Sequence, residues 1–158
     1  MVWAVVPLDE TEYDRWWRSA ESSLLMARLG AEHDQHHHAC LHAKQAAQQA
    51  VKGLLFAVGA GSRARGHNLS AVGAAAAEAA GTALLDPVRE ALVRLARHYL
   101  PSRYPDALPG GAPVDQFTTA DSAVAISDAE CVAGFVSGAW QALQDAAAER
   151  SDDERERP

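Results

Sequence analysis

The chain has 158 residues, a net charge of −7, and 48% hydrophobic against 22% charged residues. That balance excludes wholesale disorder, and the length suits one domain with its own core. Two cysteines, Cys40 and Cys131, exclude a disulfide scaffold and suit a reducing compartment, while the acidic charge gives no whole-molecule attraction to nucleic acid.

In chain order, Met1 to Leu8 is apolar but lacks the basic start and cleavage pattern of a signal peptide. No apolar run reaches the ~20 residues that span a bilayer. A cytoplasmic protein without membrane contact is expected, with one domain over residues 1–150. The first helix starts near Asp9, which has Glu12 at capping-box spacing. Tyr13, Trp17, Ala20, Leu24 and Ala27 form its apolar stripe, Trp16 widens it, and Gly30 is the expected stop. The second helix is predicted over Asp34 to Val58. Cys40, Ala43, Ala47, Val51, Leu54 and Val58 make its buried stripe, and Lys44, Gln48 and Lys52 make a polar stripe at i,i+4 spacing.

A polar loop follows, from Gly61 to His67, then a weak Ala-rich helix from Asn68 to Ala80. Asp86 as N-cap and Pro87 at the first helical position predict a fourth helix with Val88, Leu92, Leu95 and Tyr99 as its stripe, stopped by Pro101. Pro101, Pro105, Pro109 and Pro113, with Gly110 and Gly111, mark a long loop of the kind that often carries function. Thr118 and Asp121 predict a capped last helix running to about Ala148, and the charged tail 151–158 is expected to be disordered. The pattern is an all-α, antiparallel up-and-down bundle of about five helices.

Charge is unevenly placed. No carboxylate occurs between Asp34 and Glu78, a stretch that holds Lys44, Lys52, Arg63 and Arg65 with five histidines. From Asp121 onward, nine acids face three arginines. Such an imbalance marks either an anion-facing surface or Ala-rich helices that simply carry few charges.

Several groups bear chemistry. His33 with His37, and His38 with His42, are i,i+4 pairs of the kind that can hold zinc. No second His/Glu pair stands out to complete a ligand set, so no metal is expected. The segment Gly59 to Gly66 lacks the Gly-Lys-Ser/Thr of a P-loop and follows no strand. Arg63, Arg65 and His67 lie just before a helix N-terminus, which suits a phosphate; the plainer reading is a solvated surface loop. Arg94, Arg97 and His98 suit a helix C-terminus. Arg103, between Tyr99 and Tyr104, either stacks on a base or pins the loop to the bundle. No nucleophile–base–acid set is present. The one chemistry suggested is Arg with His on a phosphodiester, with His as acid or base and Arg steadying the developing charge.

Four segments in order resemble the HEPN domain (higher eukaryotes and prokaryotes nucleotide-binding). They are His42-Ala-Lys-Gln-Ala-Ala-Gln-Gln-Ala-Val-Lys-Gly-Leu-Leu55, the Gly-to-His67-Asn-Leu stretch, Tyr99-Leu-Pro-Ser-Arg-Tyr-Pro-Asp106, and the capped helix from Thr118. The resemblance covers about residues 10 to 148. It implies a helical bundle, commonly a homodimer, that binds a nucleotide or RNA. Many members are metal-independent ribonucleases, often toxins beside a nucleotidyltransferase antitoxin, with Arg, four to six residues, then His. Here Arg63 and His67 are separated by three residues, as are Arg94 and His98, while Arg28 and His33 fit the spacing at the end of the first helix. Lys52 matches the family where Gln48 and Gln49 replace its Glu-Lys.

The resulting expectation is binding of nucleotide or RNA phosphate by Lys52, Arg63, Arg65, His67, Arg103 and Tyr104, with Lys44 secondary and no cofactor. The alternatives are a ribonuclease toxin using Arg63 and His67, and a non-catalytic dimerisation or adaptor module. For the last, Trp16, Phe117 and Trp140 are either interface or core aromatics.

Overall fold

The computed structural model describes residues 7–155, so most of the Met1–Leu8 segment and the end of the tail lie outside the described residues. Six α-helices follow in order: α1 (Glu10–Glu32), α2 (His36–Ala57), α3 (Leu69–Ala79), α4 (Asp86–Ala96), α5 (Pro113–Gln116) and α6 (Thr119–Arg155). Among the described residues there is no strand. The all-α bundle follows from the apolar stripes. Each helix has one face to bury and only other helices to bury it against.

α1 is capped as its sequence predicts: the Asp9 carboxylate accepts from the Glu12 backbone N–H at 2.9 Å. The Glu12 side chain does not complete the box, because it pairs with Arg15 and accepts from the Trp16 indole. The helix runs past Gly30 to Glu32. Gly30 serves close approach instead of termination, since a Cβ there would sit 3.2 Å from the Ala39 backbone nitrogen. The turn into α2 is made by Asp34, at φ 58°. The chain then returns antiparallel, and the Asp9 N–H donates to the Ala57 carbonyl at 2.8 Å.

α2 is the central helix. It packs on α1, α6, α3 and α4. Ala39, Ala43, Ala46, Ala47 and Ala50 let these neighbours come close, and burial extends around most of the helix. Two members of its polar stripe are therefore inside the protein: Lys44 is 1% and Gln48 4% exposed. Only Lys52 is partly open to solvent. Gly53 is a second close approach. A Cβ there would lie 2.5 Å from that of Trp16, whose ring stacks on Phe56 at 5.2 Å.

Two of the three candidate interface aromatics, Trp140 and Phe117, pack on the core, while Trp16 is partly exposed. Trp140 is buried against Tyr13 at 4.2 Å, and Phe117 packs on the core beside His98. His36 opens α2 and ties it to the start of α6, with Nδ1 2.9 Å from the Ser122 hydroxyl and Nε2 3.3 Å from that of Thr119.

α4 begins one residue earlier than its sequence predicts. Leu85 is the N-cap, Asp86 opens the helix and Pro87 follows. It also ends at Ala96, short of Pro101, where the bonding tightens to i→i+3 at Arg97, His98 and Tyr99. That tightening is a common helix ending. It swings Tyr99 and Arg103 back over α2. α6 is capped by the predicted Thr118–Asp121 box, with bonds of 2.7 and 3.3 Å. It continues past Ala148 to Arg155, into the segment expected to be disordered. Ser151 bonds back to the Ala147 carbonyl, and Arg155 pairs with Asp152 at i,i+3, so the ladder is supported locally.

Candidate functional site

Lys44 is the centre of the site. Its ammonium donates to the Gln48 side-chain oxygen, one turn along α2. It also lies 4.6 Å from the centroid of the Tyr99 ring. The Gln48 amide Nε2 then donates to His67 Nδ1 across 3.4 Å. With Nδ1 accepting, the neutral imidazole carries its proton on Nε2. The His67 ring stacks on Tyr99 at 4.8 Å.

Arg103 covers the same aromatic. Its guanidinium carbon is 4.5 Å from the Tyr99 centroid and 5.2 Å from that of Tyr104, and its Nε donates to the Tyr99 carbonyl. Tyr99 thus stands amid Lys44, His67 and Arg103. Its ring holds two cations in place without neutralising them. The floor of the cluster, Lys44 and Gln48, is buried, while His67, Arg103 and Tyr104 form an exposed rim.

The electrostatics are one-sided. Burial, then Lys52 and then Arg103, push the Lys44 ammonium down to about 8. Among the described residues, no carboxylate is within ion-pairing distance of Lys44, Lys52, Arg65 or Arg103. Buried charges are normally paired. Here a buried amine is surrounded by further cations, which leaves a positive field for an external anion to satisfy.

The predicted residues divide. Lys52, His67, Arg103 and Tyr104 gather around Lys44 and Tyr99. Arg63 turns away and pairs with Glu78 at 2.6 Å. Arg65 is exposed and joins none of these contacts. Two members were not singled out as site residues in the sequence, Gln48 as relay and Tyr99 as platform. A usable signal existed for both: Gln48 lies midway between two lysines at i,i+4 on an apolar helix, and Tyr99 opens the Tyr-Leu-Pro-Ser-Arg-Tyr-Pro segment.

The other candidates serve structure. Arg94 is forked on Asp128, with bonds of 2.8 and 2.7 Å that clamp α4 to α6. Burial pushes the Cys40 thiol up to about 12, which leaves it unreactive. Among the described residues, no group of three His, Cys, Asp or Glu is arranged to hold a metal ion. No described helix is long and apolar enough to cross a membrane.

Together these features define a small all-α bundle with a carboxylate-free cationic cluster where the turn after α4 crosses α2. The HEPN domain model matches residues 13–139, and the chain belongs to that family. The crystal structure of TT1696 from Thermus thermophilus is similar, with a TM-score of 0.75 and 30% identity over 80% of this chain and 97% of that one. ST0689, described as an archaeal HEPN homologue, gives a TM-score of 0.66 and 31% identity over 80% of this chain and 95% of its own. No curated protein matches.

Proposed function

We propose that this protein binds the phosphate of a nucleotide or RNA at the cluster of Lys44, Lys52, His67, Arg103 and Tyr104. One observation carries the reading: among the described residues, Lys44 is a buried cation with a single hydrogen bond, cationic neighbours and no carboxylate within ion-pairing distance. An incoming phosphate would supply the missing charge, and Arg103 and Lys52 stand at the entrance to meet it. Membership of the HEPN family supports the same class of ligand. Calorimetry against nucleotides and short RNAs tests it. Binding that weakens with salt and falls about 100-fold in Arg103→Ala is expected. Equal affinity in the wild type and Arg103→Ala removes the assignment.

A second reading, a metal-independent ribonuclease, is favoured by the contact between Gln48 and His67. It holds the imidazole beside Lys44 and Arg103, with Nε2 free for proton transfer. Lys44 and Arg103 would then steady the developing phosphorane charge, because Arg63 is engaged by Glu78. An RNA-cleavage assay of wild type against His67→Ala decides it. Equal cleavage in both, or none in either, rejects it. Both readings take a second copy of the chain and a nucleotidyltransferase antitoxin as partners. Sedimentation showing only monomer would reject the first, and failure to co-purify when the two are expressed together would reject the second.

A further inference from the structure

A cavity of about 440 Å³ adjoins the cluster and shares Arg103 with it. That volume is within the range of small-molecule sites. Leu41, Pro113 and Val114 supply apolar walls, and His37 and His38 supply a polar edge. His37 is 8% exposed, and its Nδ1 is buried with no hydrogen-bond partner among the described residues. Buried polar atoms are seldom left unpaired, so this one calls for an explanation. Burial, then His38 and His36, lower the His37 pKa from its usual value, which keeps the ring neutral at pH 7. A neutral imidazole offers one donor and one acceptor.

The position of the cavity links it to the phosphate cluster. His37, Leu41, Lys44 and Gln48 follow one another at helical spacing along one face of α2. His37 lies two turns before Lys44, about 10 Å along the axis at 1.5 Å per residue. A nucleotide reaches over a gap of that scale from the far edge of its base to its phosphate. Arg103 borders both ends, lining the cavity and crossing Tyr99.

We propose that this cavity is the ring subsite of the same ligand, taking an uncharged planar heteroaromatic base between Leu41 and Val114 with its polar edge toward His37. The inference rests on the phosphate reading given above. Other occupants fit less well. An aliphatic chain would leave the polar edge of His37 and His38 unused, and a cation would meet Arg103.

Calorimetry at neutral pH with the four ribonucleoside monophosphates, ribose 5-phosphate and inorganic phosphate tests the proposal. At least one nucleotide is expected to bind about tenfold or more tighter than ribose 5-phosphate, the scale of one well-buried ring contact. Val114→Trp fills the cavity from its exposed rim, and His37→Phe keeps the ring and removes its polar edge. Each is expected to bring nucleotide affinity down to that of ribose 5-phosphate and to leave the sugar phosphate unchanged.

Equal binding of nucleotides and ribose 5-phosphate by the wild type overturns the ring subsite and leaves the phosphate site standing. So does a base preference that survives both variants. Equal loss of all ligands in the variants also overturns it, because cavity and cluster would then not be separable. Absence of binding by every phosphate compound overturns both proposals.

Discussion

Arg94 and Arg103 stand on either side of one turn, and the molecule treats them in opposite ways. Arg94 meets the buried Asp128 of α6 and is fully engaged, its fork closed on both carboxylate oxygens. Arg103 meets α2, which at that height presents Lys44 and Gln48, and it finds only a carbonyl and two aromatic faces. A charge closed on an internal partner holds two helices together. A charge held in place by aromatics keeps its field for something outside. Residue type alone does not assign the role of an arginine; the facing helix does.

That contrast can be broken by substitution. Arg103→Ala and Lys44→Met are each expected to weaken nucleotide binding by about 100-fold, the usual scale for removing one member of a desolvated charge contact. Asp128→Asn is expected to lower the unfolding midpoint while leaving affinity within about twofold, because it shares no partner with the cluster. If Asp128→Asn loses affinity as Arg103→Ala does, the two arginines are not functionally distinct.

Stability sharpens the same contrast. Lys44→Met removes an unpaired buried charge and keeps the stem volume, so urea unfolding at pH 7 is expected to show a gain of roughly 1–3 kcal/mol. A protein that is more stable without its binding residue has given up stability to keep that charge. A loss of stability instead would mean that the ammonium is well satisfied in the folded state.

The pH dependence has a defined sign. Lys44 titrates near 8 when folded, against an ordinary value of 10.5. Between those values the unfolded chain holds the extra proton, so this residue's contribution to stability rises with pH from about 8 to 10.5. Below about 8 its burial penalty is fully present. Over the same rise the amine loses its charge, so anion affinity is expected to fall. Unfolding curves and calorimetry from about pH 7 to 10, with Lys44→Met as the flat control, measure both trends.

The smallest effects belong to Tyr104 and Arg63. Tyr104→Ala removes one exposed cation–π contact and is expected to weaken binding about two- to fivefold. Arg63→Ala is expected to change affinity by about twofold or less, because its exposed pairing with Glu78 lies apart from the cluster. A larger loss in Arg63→Ala than in Arg103→Ala would move the site to the loop before α3.

Much of the architecture was legible in the residues. The Tyr13–Ala27 stripe, the Asp9 cap and the Thr118–Asp121 box stand where local spacing put them. Local signals failed where distant chain intervened. Gly30 reads as a stop but lies inside α1, held close to Ala39. Of the candidate site, Lys52, the turn residues Arg103 and Tyr104 and the loop residue His67 were read from the sequence, while the signals at Gln48 and Tyr99 gained a meaning once contacts across the fold joined them to His67.

Helical periodicity and capping depend on residues a few places apart, so the order of amino acids alone was enough for the helices, the all-α class and the resemblance to HEPN proteins. The carboxylate-free stretch was likewise written in the chain. It took packing in three dimensions to enclose α2 among its neighbours, to bury Lys44 without a counter-charge, and to draw Arg63 away to Glu78. Burial and charge pairing depend on which distant surfaces meet, and periodicity along one helix does not encode that meeting.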